Sequence, residues 1–489
     1  MAQTVHQHSH PALHHRPAHF GYALTGLSVG ILLSQLGTNV VGIGLPTFMR
    51  EFGATFAEVQ WVVVAYLLTV TALIVGVGRF ADQLGKKKLY LAGLISFLAA
   101  SVICALAPNL IVLIAGRGLQ GLGGAIIMAL SFALVGEIMP KDRIGLAMGV
   151  LSMMVALGIA LGPSLGSLAL VTFGWRAMFW VNLPLGLLAY VLLSRYLPRT
   201  IDTSHSVRSL SNFDWSGTIV LSLTLLAYCV AMTLSGSHGI NHSLVLQYLA
   251  GAVLGLVLFL AIETKARQPL LSLGLFRDRL LSTSMMISVL AYAVMMATLV
   301  LGPIFLTRGV DLDTRATGLV MTVGPLTSAM MSIPAGWMSD RIGPRLTLLG
   351  GLTLMTIGSA LMSLITIEHG VQEYVTSIIL ISLGLAFFQT PNNTAVMSAA
   401  RSEQRGLVSA LLALGRNLGL ITGASLMGAI FGAAAGQTGP ASGGTAAATQ
   451  AAIARGMEST FRVAAAMAGC ALILALVGFR RRITDHASR

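Results

Sequence analysis

Two stretches of this 489-residue sequence carry the same arrangement of chemistry-bearing residues. Gly78-Arg79-Phe80-Ala81-Asp82-Gln83-Leu84-Gly85-Lys86 and Gly336-Trp337-Met338-Ser339-Asp340-Arg341-Ile342-Gly343-Pro344-Arg345 each set an aspartate four residues after a glycine, a second glycine three later, and then a base. A carboxylate framed by glycines and bases can meet ion pairs or helix ends at close range, which is the chemistry of a latch. A loop that only fixed topology would need the bases without the repeated frame.

A second set of polar residues is isolated within apolar runs. Arg117 and Arg416 are the bases so placed, and Gln35, Asn39, Gln389, Asn392, Asn393 and Asn417 are neutral companions. A fixed cation in hydrocarbon costs about 3 kcal/mol or more, so an interior arginine must face a cavity or a polar partner, or else snorkel to an interface. A cavity lined by these groups repels lipophilic cations and favours anionic or neutral polar solutes. The acids tell the complementary story. All seventeen fall in loops or at helix ends, and no histidine is deep in an apolar run. Glu58, at the opening of a span, and Glu137, at the close of one, remain as proton carriers, alongside the solute itself.

The elements that must position these groups follow from composition. With 55% hydrophobic and only 10% charged residues, most of the chain must face lipid. Apolar stretches long enough to cross a bilayer as helices lie at approximately 21–45, 57–78, 88–107, 109–136, 145–170, 177–197, 214–234, 246–264, 281–304, 316–338, 344–367, 372–396, 406–433 and 461–480. On this assignment 22 of the 30 Lys and Arg residues fall in the termini and even-numbered loops and 6 in the odd-numbered loops, which predicts cytoplasmic termini. The same distribution turns the net charge of +13 into a topology signal and excludes a nucleic-acid surface.

The repeated latch, at the ends of spans 2 and 10, predicts two homologous bundles. The expected architecture is an all-α membrane protein of two pseudo-symmetric six-helix bundles, 21–197 and 281–480, with a linker at 198–280 that inserts two extra helices, fourteen in all. Residues 1–20, with six histidines, and 481–489 are expected to be cytoplasmic tails. The Gly/Ala/Ser/Thr-rich stretch 434–459 is expected to be an outer loop. Cys104, Cys229 and Cys470 fall within spans and read as small buried apolar residues. No metal site, cofactor or nucleophile–base set is apparent, so no enzyme is expected.

With these residues in place, residues 20–480 resemble the major facilitator superfamily, and specifically its fourteen-helix drug:proton antiporter branch. The stretch from Gly78 to Lys86 resembles the family's cytoplasmic signature, and the resemblance implies a gating role for Gly78, Asp82, Gly85, Lys86, Asp340 and Arg341. Arg117-Gly118-Leu119-Gln120-Gly121-Leu122-Gly123-Gly124 resembles the second signature, in span 4, and implies a coupling role for Arg117. In span 5, Gly149, Gly158, Gly162-Pro163 and Gly166 are similar to the pattern that marks antiporters in this family; ordinary small-residue packing uses the same spacing of four. Trp175-Arg176-Ala177-Met178-Phe179-Trp180-Val181-Asn182-Leu183-Pro184 resembles the branch's entry to span 6, with Trp175 and Trp180 expected as interface anchors.

One departure stands out. The branch carries a carboxylate in span 1 within Leu-Asp-x-Thr-x-x-Asn-x-x-Leu-Pro, whereas this chain reads Leu36-Gly37-Thr38-Asn39-Val40-Val41-Gly42-Ile43-Gly44-Leu45-Pro46. The resemblance implies proton-coupled efflux of drugs or other toxic compounds by a monomer in the plasma membrane. The missing acid favours an exporter or uniporter of an anionic or neutral metabolite, and a non-transporting membrane sensor is the third reading. Methionines at 285, 286, 295, 296, 321, 330 and 331 are candidates for an adaptable apolar pocket or for packing filler.

Overall fold

A computed structural model describes residues 17–198, 214–238, 241–266, 273–367, 370–401, 404–435 and 446–478. The histidine-rich segment up to residue 16, most of 198–213, and the tail at 481–489 lie outside the described residues.

Fourteen helices among the described residues are long and apolar enough to span a bilayer. We number them α1 (Phe20–Phe52), α2 (Phe56–Leu84), α3 (Lys86–Ala105), α4 (Leu110–Ile138), α5 (Ile144–Phe173), α6 (Ala177–Tyr196), α7 (Trp215–His238), α8 (Ser243–Lys265), α9 (Arg279–Ile304), α10 (Thr314–Ile342), α11 (Pro344–Met362), α12 (Gly370–Ala399), α13 (Arg405–Ala434) and α14 (Ala446–Gly478). Local chemistry sets the ends. Thr55 and Glu58 form a capping box at the start of α2, and Asn109, Asp278 and Asp313 cap α4, α9 and α10. The second glycine of each latch repeat, Gly85 and Gly343, ends its helix at φ of 100° and 91°, a conformation that costs other residues energy.

Helices α1–α6 pack together, and so do α9–α14; α7 and α8 form a hairpin whose first helix lies against α2 and α13. The two groups of six meet along two seams related by the internal repeat, α2 with α13 and α5 with α10. One buried core fills the first group and continues into the starts of α13, at Leu407, Val408 and Leu411; a second fills α9–α14.

Four expectations need correction. The stretch 434–459 is not all loop, because α14 starts at Ala446. Its alanines favour a helix once Ile453 and Met457 can be buried, and Ile453 lies against the π-helical turn Phe305–Gly309 that follows α9. Trp175 is not an interface anchor: it is 4% exposed and sits edge-on to Phe48 at 5.5 Å, while Trp180 is exposed. The first span does not end near residue 45. It breaks into a 3-10 turn at Val41–Gly44, where two glycines loosen the helix, and resumes to Phe52. Cys470 is exposed on α14.

Candidate functional site

The glycines of span 5 place the first wall. Gly158, Gly162 and Gly166 share one face of α5, and a β-carbon on each would lie 2.4, 2.5 and 2.7 Å from Gln35, Asn39 and Val40 of α1. Only glycine permits that approach. Gln35 and Asn39 are thereby turned into the α1–α5 interface, where Asn39 donates to the Gln35 carbonyl at 2.8 Å. Neither lines either of the two cavities described below. The side chain of Pro163 lies outside the described residues. A matching ladder exists in the other half and was missed in the sequence: Gly415, Gly419 and Gly423 of α13 rest on Met285, Val289 and Ala293 of α9. Its spacing of four was the available signal.

Two adjoining cavities lie beside these walls. The larger, about 660 Å³, is bounded by α5, α9, α10 and α12, with Val155, Met295, Met321 and Ile378 giving it an apolar lining. The smaller, about 380 Å³, lies between α4, α9, α12 and α13 and holds Arg416 together with Asn392, Asn393, Ser288 and Ser409. Tyr292 and Gln389 border both. Of the methionines considered, Met295 and Met321 line the larger cavity, whereas Met286 and Met330 are exposed on the outer surface. Asn417 points elsewhere, donating to Thr71 of α2 at 3.4 Å across the seam.

Arg117 occupies a different setting. It is fully buried inside the first six helices, where Nε donates to the Val62 carbonyl at 2.9 Å, Nη1 donates to Gln120 Oε1, and the guanidinium lies 4.5 Å over the Tyr66 ring. Gln120 in turn donates to Ser101 at 2.8 Å. These neighbours replace most of the water for the cation without any carboxylate among the described residues, leaving Nη2 buried and without a hydrogen-bond partner, and they exclude snorkelling. Arg117 borders neither cavity.

The latch residues gather on the face that carries the α2–α3 and α10–α11 turns, called here the turn face. Asp340 accepts from the backbone N–H groups of Gly145 and Leu146, at 2.8 and 2.9 Å, and so caps the start of α5 from the opposite half. A β-carbon on Gly336 would lie 2.3 Å from the Gly145 carbonyl oxygen, and one on Gly78 would lie 2.6 Å from that of Gly406 in α13. The side chain of Asp82 lies outside the described residues. Arg341 stacks on Trp337 at 4.3 Å, and Lys86 forms a buried ion pair with Glu137. Glu58 is exposed and accepts from the Thr55 backbone N–H at 2.7 Å as part of its helix cap.

The absent acid of α1 has a structural counterpart. A β-carbon on Gly37 would lie 2.9 Å from the ring of Phe97, which is fully buried in α3, so the position faces a packed aromatic and not a cavity.

Comparison with known proteins agrees with this geometry. The profile of the Major Facilitator Superfamily matches residues 27–262 and 281–488. The riboflavin transporter RibZ of Clostridioides difficile (strain 630) is 30% identical over 406 residues, covering 83% of this chain and 87% of its own. The multidrug resistance protein Stp of Mycobacterium tuberculosis (strain CDC 1551 / Oshkosh) is 30% identical, covering 84% and 75%. The crystal structure of the human organic anion transporter MFSD10 (TETRAN) superposes with a TM-score of 0.62 over 93% of this chain and 99% of its own, at 14% identity, which is a likeness of fold.

Proposed function

Because this chain belongs to the major facilitator superfamily, a family of membrane transporters and not enzymes, we propose that it exports small organic compounds across the plasma membrane by alternating access. The observation that carries this reading is the asymmetry in depth. The halves meet at the turn face through Asp340 and the glycine contacts, while the cavities lie deeper between them. The excess of Lys and Arg in the even-numbered loops and termini supports a cytoplasmic turn face. On that reading the molecule is shut towards the cytoplasm, and one chain supplies the whole cavity, so a monomer suffices. Relatives named for multidrug resistance support an organic substrate and the outward direction.

A second reading concerns the driving force, and a specific observation favours it. Among the described residues, the lining of both cavities contains no Asp, Glu or His. With Gly37 closed off by Phe97, Glu58 used as a cap and Glu137 paired with Lys86, no cavity carboxylate is left to carry a proton with each substrate. Transport is then driven by the gradient of the substrate itself.

Proteoliposome flux under an imposed pH gradient tests both. Flux no greater than that of empty liposomes across anionic, neutral and cationic organic compounds removes the first reading. A pH gradient that accelerates a non-titrating substrate, with the acceleration lost in Glu137→Gln, removes the second.

A further inference from the structure

The two buried arginines differ in what surrounds them. Arg117 has a carbonyl, a side-chain amide and an aromatic face. Arg416, only 7% exposed, has no carboxylate within ion-pairing distance among the described residues, and its neighbours leave polar atoms unused. Ser409 Oγ and Asn392 Oδ1 are buried without a hydrogen-bond partner, and Tyr292 Oη has the Arg416 guanidinium beside it but no acceptor for its own proton. Each such orphan costs about 1–3 kcal/mol, so two orphans and an unused hydroxyl proton around one cation form a concentration of unspent binding capacity.

Resting on the transport reading above, we propose that the substrate is an amphiphilic organic anion. Its carboxylate, sulfonate or phosphate is held by Arg416, and its apolar body extends into the larger cavity. The donors suit that head group. The guanidinium offers paired N–H groups, and the Tyr292 and Ser409 hydroxyls can each donate to an anionic oxygen. Asn392 lies 3.3 Å from Ser288 Oγ through its amide nitrogen. Ser288 Oγ itself donates to the Ser284 carbonyl at 2.8 Å, which fixes the amide nitrogen on Ser288 and leaves Asn392 Oδ1 as an acceptor for a hydroxyl or N–H group of the ligand.

The second chamber determines the rest of the molecule. It adjoins the first through Tyr292 and Gln389, and Met295 and Met321 can adjust to flat or branched apolar groups. A lipophilic cation of the same size would meet Arg416 with no acid in either lining to offset it. Charge sign, and not shape, is therefore the main selector.

Three probes built on one ring system separate these factors: 1-pyrenesulfonate, 1-pyrenemethanol and (1-pyrenylmethyl)trimethylammonium. They are titrated by calorimetry against the purified full-length protein, and their flux is followed in proteoliposomes against empty liposomes. We expect the sulfonate to bind at least about tenfold more tightly than the ammonium probe. Arg416→Gln should weaken sulfonate binding about tenfold and leave pyrenemethanol within about twofold, with Tyr292→Phe costing the sulfonate about threefold. Equal binding of the three probes, tighter binding of the ammonium, or an Arg416→Gln loss that is the same for all three overturns the proposal. Should Arg416→Gln fail to fold, the order of the probes on the wild type and on Arg416→Lys decides it. Charge-ordered binding without flux above empty liposomes defeats only the transport reading. Flux without charge order defeats only the anion.

Discussion

The two seams between the halves descend from one repeated arrangement, yet they are finished differently. Along α2 and α13, Gly78 fits against Gly406 and Ala410, Asn417 reaches Thr71, and α7 lies across the join. That helix is fastened to both sides: Ser222 donates to the Ala72 carbonyl at 3.0 Å, Tyr228 hydrogen-bonds Thr422, and Ser425 donates to the Met232 carbonyl. Along α5 and α10 the closest approaches lie at the turn face, through Gly145, Gly149, Ser332, Gly336 and Asp340. Beyond Ser152 and Ser332 the same two helices line the larger cavity. On the transport function proposed above, an inserted helix on one seam and a void on the other make the first the expected pivot and the second the expected opening.

The sharpest way to break this comparison is to tie the opening seam. A short bis-methanethiosulfonate linker between cysteines at Ser152 and Ser332, in a Cys470→Ser background, should arrest flux by about fiftyfold or more, with recovery on reduction. Unchanged flux would move the opening elsewhere. Gly336→Leu comes next. Its side chain cannot coexist with the Gly145 carbonyl at the present separation, so the closed turn face is lost, and flux should fall at least about tenfold while membrane insertion is kept. Maleimide labelling of a cysteine at Ser152 from the turn-face side should rise in parallel.

Asp340→Asn should have a smaller effect. The amide oxygen still accepts from one of the two N–H groups at the start of α5, but the second acceptor becomes an NH2 group and the favourable charge at that helix end is gone. A change of about 1 kcal/mol shifts the balance of closed and open states roughly fivefold, visible as a similar rise in the same labelling. Least of all, a linked pair of cysteines at Thr71 and Asn417 should leave flux within about twofold of wild type, because that join is the pivot. Arrest by this last link would show that the two seams open alike, and the comparison would fail.

Much of this organisation was legible in the sequence, and the failures have physical causes. Spans and turns could be read because a bilayer demands long apolar helices, and because glycines such as Gly85 and Gly343 mark where the chain takes a conformation that side chains resist. Polar residues inside helices were also visible, but not the direction each one faces. Gln35 and Asn39 were grouped with Gln389, Asn392, Asn393 and Arg416, yet the close fit of α1 on α5 turns the first pair into an interface, while the others border a void. Tyr292 and Ser409 carried no signal, since a tyrosine or serine in an apolar run is ordinary until its neighbours are known. Arg117 was equally ambiguous, because the carbonyl that solvates it belongs to Val62, on another helix. The start of α14 was obscured by composition, as alanine with glycine, serine and threonine serves a linker as readily as a helix whose partner surface cannot be seen from the sequence.

The packing of Phe97 against Gly37 also bears on how the molecule can change. Placing an acid at position 37 alone sets it against a buried ring, so the single substitution is expected to be unfavourable, whereas Phe97→Ala first would make room for it. The two positions are epistatic: the benefit of one substitution depends on the other having come before. A carboxylate at position 37 is therefore reached more easily in two steps than in one, with the change at Phe97 coming first.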